Sequence, residues 1–166
     1  WYATADGRCS VTFEADREVY ENIKLGLRGR HQPANALTAL ALAEALRERG
    51  FAISRQSIID GIESARYPGR LEIWAGQPQI LFDGAHNPAA AAVLRAYLDE
   101  FVTEPIIMIF GAMRDKALDE MSATLFPKAS VLILTELDNP RAASLDMLMS
   151  ATSHSIDEAM VRRASR

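Results

Sequence analysis

The sequence predicts an α/β protein: a doubly wound, mostly parallel sheet over residues 67–166, preceded by a shorter piece of a second domain over 1–66. Two observations carry this. Beyond residue 80, continuous apolar runs such as Ile106–Phe110 and Val131–Thr135 alternate with stretches of helical period, the pattern of parallel strands covered by helices on both faces. Before residue 66 the order is strand, strand, helix, helix, and Tyr67-Pro68-Gly69 then breaks the chain, placing a linker at 66–69.

Taken in order, Val11 and Phe13 alternate with polar neighbours, and Ile23, Leu25 and Leu27 repeat the pattern, so Ser10 to Leu27 reads as a hairpin or two adjacent strands. Ala34 to Arg49 is a helix with Leu37, Leu40, Ala41 and Ala45 at helical spacing, Leu42 and Leu46 widening the face and Gly50 as its stop. Ser54 caps a second helix, Arg55 to Ala65, with Ile58, Ile59 and Ile62 on one side. Arg70 to Ala75 and Gln79 to Asp83 flank the turn Gly76-Gln-Pro78 and read as a paired hairpin. The alternating part then runs Ile80–Phe82 (strand), Pro88–Phe101 (helix), Ile106–Phe110 (strand), Lys116–Leu125 (helix) and Val131–Thr135 (strand). Two helices, Ser144–Ala151 and Ser155–Ala164, complete it.

With 49% hydrophobic and 24% charged residues the chain is not disordered, collagenous or a coiled coil. A net charge of -4 without long like-charge runs argues against a broad nucleic-acid footprint. No apolar run approaches the roughly 18–20 residues of a membrane span, and the one cysteine, Cys9, fits a reducing, cytoplasmic setting. Cys9 and His154 are read as structural or incidental. The start at Trp1 lacks a Met and a signal pattern, as expected of the middle of a longer protein.

Three segments can carry chemistry. Asp83-Gly-Ala-His-Asn-Pro88 lies where a strand passes into a helix: Pro88 suits the first helical position, Asn87 the N-cap, and Gly84 a close backbone approach. Read as a site, Asp83 accepts from ribose hydroxyls and His86 faces the same crevice as donor or proton carrier. Read as local structure, Asp83 and Asn87 make a turn and a cap while His86 is solvated. Arg70, just after Pro68-Gly69, either reaches phosphate oxygens or pairs with Glu72 at the surface. Asn35, in Gly29-Arg-His-Gln-Pro-Ala-Asn35, either presents its amide to a purine edge or only bonds the helix start, with His31 and Gln32 exposed. Gly111-Ala-Met-Arg-Asp-Lys116 and Asp138-Asn-Pro-Arg141 are further strand-end loops. A phosphate-binding Gly-Lys-Ser/Thr loop, a Gly-x-Gly-x-x-Gly, a Gly-x-Ser-x-Gly elbow and a metal-spaced Cys/His cluster are all missing.

Read together, Gly29-Arg-His-Gln-Pro-Ala-Asn-Ala36, Pro68-Gly-Arg-Leu-Glu72, Asp83-Gly-Ala-His-Asn-Pro88 and Gly111-Ala-Met-Arg-Asp-Lys116 resemble, in order and spacing, the C-terminal portion of the folylpolyglutamate synthase/dihydrofolate synthase family within the muramyl-ligase superfamily. The resemblance implies a Rossmann-like C-terminal ligase domain (67–166, incomplete at its end) behind the last strands and helices of a P-loop-type ATPase domain (1–66). It implies an ATP-dependent ligase in which ATP phosphorylates the carboxylate of dihydropteroate or of a tetrahydrofolate (poly)glutamate tail and L-glutamate attacks the acyl phosphate. By motif, Asn35 is the adenine-side contact, Arg70 reaches the phosphates and Asp83 meets the nucleotide. His86 acts with Arg70 in catalysis, and His86 and Asn87 lie near glutamate. Mg²⁺ is expected with ligands in the missing N-terminal part, the protein is expected to be a monomer, and this chain alone is expected to be inactive. Ala117 stands where the family often has an acidic residue. A muramyl-peptide ligase, which carries a string similar to Asp138-Asn-Pro-Arg141, remains open, as does a non-catalytic nucleotide- or partner-binding α/β module. A hydrolase built on Asp83 and His86 lacks an evident nucleophile.

Overall fold

The computed structural model describes residues 1–15, 18–152 and 155–164, and the expectation for His154 falls outside them. The chain divides into two compact units, Trp1–Gly84 and Ala85–Arg166. The compact units meet at Gly84, so the 66–69 linker read from the sequence lies inside the first of them. The reason is local: the hairpin after the Pro-Gly turn is tied back to it, with Gly84 N–H donating to Gly69 O at 2.7 Å and Leu71 buried at 3% exposure.

In the first unit β1 (Tyr2–Ala3), β2 (Arg8–Glu14) and β3 (Val19–Arg28) form an antiparallel sheet in that order. Cys9, Val11 and Phe13 of β2 face the core. On β3, Tyr20 and Ile23 both point inward although three residues apart, because the register shifts opposite Val11–Phe13 and Asn22 takes a φ of 56°. Over this face lie α1 (Gln32–Glu48) and α2 (Arg55–Ser64), which contribute Leu40 and Ile58. Ser54 caps α2 as expected, its side chain accepting from Ser57 N–H at 3.0 Å. Helix α1 departs from expectation: of its apolar positions Leu40 is buried, whereas Leu37 and Leu42 are 47% and 62% exposed. Then β4 (Glu72–Trp74) pairs antiparallel with β5 (Ile80–Phe82), the expected hairpin. β5 stays in this two-stranded sheet and does not open the parallel one.

The second unit runs α3 (Pro88–Phe101), β6 (Ile106–Phe110), α4 (Leu118–Leu125), β7 (Ala129–Thr135), α5 (Leu145–Thr152) and β8 (Val161–Ala164). The strands form a parallel sheet in the order β6-β7-β8, so the α/β expectation is met. Met108 and Phe110 pair in register with Leu132 and Leu134, and all four join one core with Ala91, Met121 and Leu148 from the three helices. The other side of β6 carries Ile107 and Ile109, 66% and 69% exposed, so the helices cover one face rather than both. Crossovers between parallel strands are right-handed as a rule, and two of them advancing in one direction put both connecting helices on the same side.

The expected helix over Ser155–Ala164 is absent. Asp157 caps a single 3-10 turn, Glu158–Met160, and Val161–Ala164 pairs with β7 from Leu132 to Thr135. The unsatisfied edge of β7 outweighs the helical preference of a short Arg- and Ala-rich run. None of the described helices is long and apolar enough to cross a membrane.

Candidate functional site

The first unit carries its polar groups at two loops. Tyr67-Pro68-Gly69-Arg70 is a tight turn closed by Arg70 N–H donating to Tyr67 O at 3.2 Å, with Pro68 and Gly69 at its centre and Gly69 at φ 69°. This is the geometry of a type II turn, for which Pro-Gly is the fitting pair. Leu71, next along, also has positive φ (45°), a strained state for a branched residue that persists only when its surroundings hold it. Asp83 does so, accepting from Leu71 N–H through Oδ2 at 3.0 Å. Arg70 is exposed, its guanidinium over the Tyr67 ring at 5.8 Å from the centroid.

The bland reading in which Arg70 pairs with Glu72 does not hold. Glu72 accepts from Gly69 N–H at 2.8 Å and from Trp74 Nε1–H at 2.8 Å instead. Among the described residues no carboxylate forms an ion pair with Arg70.

The second loop leads into α1. Asn35 Nδ2 donates to Gln32 Oε1 at 3.1 Å, and Gln32 Nε2 meets His31 Nε2 at 2.9 Å. An amide nitrogen only donates, so this assignment makes His31 Nε2 the acceptor and puts the ring proton on Nδ1, which is buried without a hydrogen-bond partner among the described residues. Burial pushes the His31 pKa below its usual value, and the positive Arg70 adds to this while Asp83 opposes it. His31 and Gln32 are therefore not simply exposed: Gln32 is 6% exposed. A β-carbon on Gly29 would lie 2.6 and 2.8 Å from the His31 ring and 3.0 Å from Leu71 Cδ1, so only glycine lets these side chains close over it. Asn35 and Gln32 also line a cavity of about 350 Å³ whose walls include Leu25, Leu27, Ile58 and Ile62.

The structure thus brings Arg70, Asp83 and His31 into one electrostatic neighbourhood. Sequence reasoning found the first two and missed His31, Glu72 and the left-handed Leu71. A carboxylate three residues after a Pro-Gly glycine was the available signal.

In the second unit Asn87 caps α3, its Oδ1 accepting from Ala90 N–H at 2.8 Å, with Pro88 at the first helical position. His86 and Asn87 are both exposed. The cap takes one lone pair of the Asn87 oxygen, and the amide N–H₂ is the donor the residue can offer a ligand. The Gly111–Lys116 loop bonds to the loop after β7, with Ala143 N–H donating to Ala112 O and Arg114 N–H to Arg141 O, each at 2.9 Å. Arg141 pairs with Asp115 at 2.9 Å.

The parallel sheet of the second unit, with polar loops at its strand ends, defines a protein of the α/β class, in which ligands as a rule bind at the carboxyl ends of the strands. The match is specific: residues 69–165 fit the family model described as "Mur ligase, glutamate ligase domain", and the chain belongs to that family. It is 32% identical over 143 residues to the dihydrofolate synthase/folylpolyglutamate synthase of Bacillus subtilis, covering 85% of this chain and 33% of that protein. It is also similar to a Mycobacterium tuberculosis folylpolyglutamate synthase solved with ADP, at TM-score 0.82 and 29% identity, covering 96% of this chain and 35% of the other. Escherichia coli FolC, solved with DHPP and ADP, matches at TM-score 0.75 and 30% identity over 93% of this chain and 34% of that one. The chain therefore spans about a third of the length of these relatives.

Proposed function

We propose that this chain is a fragment from the C-terminal portion of an ATP-dependent amide ligase that adds L-glutamate to dihydropteroate or to a folate glutamyl tail. The γ-phosphoryl group of ATP passes to the acceptor carboxylate, releasing ADP. The glutamate amine then attacks the acyl carbon, loses a proton, and phosphate leaves. In this reading residues 1–66 end the ATPase domain and 67–166 belong to the ligase domain. The protein is placed in the cytoplasm as a monomer.

Arg70 is the residue that reaches the transferred phosphoryl group, where a fixed positive charge lowers the barrier because the charge there is spread over three oxygens. Asn35 takes the adenine side and Asp83 meets the nucleotide. His86 acts beside the reacting group, and the Asn87 amide faces glutamate at the positive end of α3. Among the described residues no three His, Cys, Asp or Glu side chains are grouped to hold a metal ion. The ligands of the Mg²⁺ that accompanies ATP are assigned to the N-terminal part of the ligase.

The observation that carries the proposal is the exposed guanidinium of Arg70 on its closed turn, with no carboxylate partner among the described residues, within a chain whose similar proteins were solved with ADP. The full-length protein should release ADP in a glutamate-dependent manner with dihydropteroate or tetrahydrofolate, and the 166-residue chain alone should not. Turnover of a muramyl-peptide precursor with none on folates would overturn the assignment.

A further inference from the structure

We propose that Glu72 is a positioning residue for Arg70: its carboxylate clamps the turn that carries the guanidinium and so sets where the positive charge meets the phosphoryl group. The proposal rests on the reading of Arg70 as a phosphate contact and goes beyond it by naming what holds it. An exposed arginine with carboxylates close by in the chain ordinarily pairs with one of them, which would screen its charge from a ligand. Here both nearby carboxylates are engaged elsewhere. Glu72 binds Gly69 N–H and the Trp74 indole N–H, and Asp83 binds Leu71 N–H. The amides on either side of Arg70 are thus held by carboxylates, and the guanidinium lies over the Tyr67 ring with no carboxylate partner among the described residues.

The backbone on both sides of Arg70 lies in the left-handed region, at φ 69° for Gly69 and 45° for Leu71. Such a conformation is strained for Leu71 and persists only where its neighbours hold it. Glu72 and Asp83, with the Gly84 N–H to Gly69 O bond, supply that restraint. The indole and amide hydrogen bonds hold the Glu72 carboxyl below its usual pKa, so it stays ionised and keeps both acceptors.

Steady-state kinetics of the full-length ligase test this. Glu72→Ala should lower kcat by about 10- to 100-fold, the scale of a small misplacement of a catalytic group, while KM for ATP changes by less than about threefold and the thermal midpoint by less than about 2 °C. Glu72→Gln combined with Trp74→Phe keeps one acceptor oxygen for Gly69 and removes the indole that needs the other, so it should recover most of the lost kcat. Three results would overturn the proposal: a Glu72→Ala enzyme within about twofold of the parent, a loss confined to KM, or a double variant as impaired as Glu72→Ala. Arg70→Ala separates this from the reading beneath it. A near-normal Arg70→Ala enzyme removes the phosphate role itself, whereas a crippled one beside a normal Glu72→Ala overturns only the positioning.

Discussion

At the residue scale, Asp6 shows what a few hydrogen bonds do to a surface carboxylate. It accepts from the Thr4 hydroxyl at 2.6 Å, from Arg8 N–H at 3.3 Å, and pairs with the Arg8 guanidinium. The Thr4 bond, ahead of those from Arg8, brings its pKa from 3.8 down to about 2. A depressed carboxyl pKa adds stability above the unfolded value and loses it as pH falls through the folded one. Asp6→Asn should therefore flatten the acid limb of stability between about pH 4 and pH 2 in urea titrations. The difference should be at most about 1 kcal/mol, because the side chain is 42% exposed and screened. Gly29 is the opposite case, a position where no side chain fits. Gly29→Ala should cost about 1–3 kcal/mol by forcing its β-carbon into the His31 ring and Leu71, measured by equilibrium unfolding.

Elements are tied together by polar groups that the hydrophobic pattern does not reveal. The buried Tyr20 hydroxyl donates to Glu44 on α1, and Arg47 bonds Glu44 at 2.8 Å and reaches back to Glu18 at 3.2 Å beside β3. Burial and the Glu44 carboxylate push the Tyr20 pKa up to about 12. Tyr20→Phe should destabilise the first unit by about 1–2 kcal/mol, since it removes a donor from a part-buried, charged acceptor, read from the urea midpoint. Helix α2 sits close on β3 at Gly26, where a β-carbon would fall 2.5 Å from both Ala65 O and Glu63 O. Caps, strand alternation and the Pro-Gly turn were legible because they act within four or five residues. The Ser155–Ala164 segment was not, because its strand state depends on pairing with β7, far back in the chain.

For the whole molecule, each unit has a core of its own: Cys9 to Ile58 in the first, Ala91 to Leu148 in the second, with no residue in common. Leu132→Ala should cost about 2–5 kcal/mol. It should speed amide hydrogen exchange in β6 and β7 while leaving protection of β2 and β3 unchanged. Within α1 the same logic separates neighbours: Leu40→Ala should cost about 2–5 kcal/mol, and Leu42→Gln less than about 0.5 kcal/mol in this chain, because Leu40 is 2% and Leu42 62% exposed.

By itself the sequence determined most of the element types and bounds, the family, and which functional groups Asn35, Arg70, Asp83, His86 and Asn87 present. Each of these follows from residue type and short spacing, which local sterics and capping translate directly into structure. Only the tertiary structure decided which partners those groups take. It set Glu72 and Asp83 on the backbone amides around Arg70 rather than on its guanidinium, buried Gln32 beneath His31, and made a strand of residues 161–164. Those outcomes are settled by competition among groups distant in the chain, for a scarce hydrogen-bond partner or a free sheet edge, and a linear pattern carries no record of who else competes.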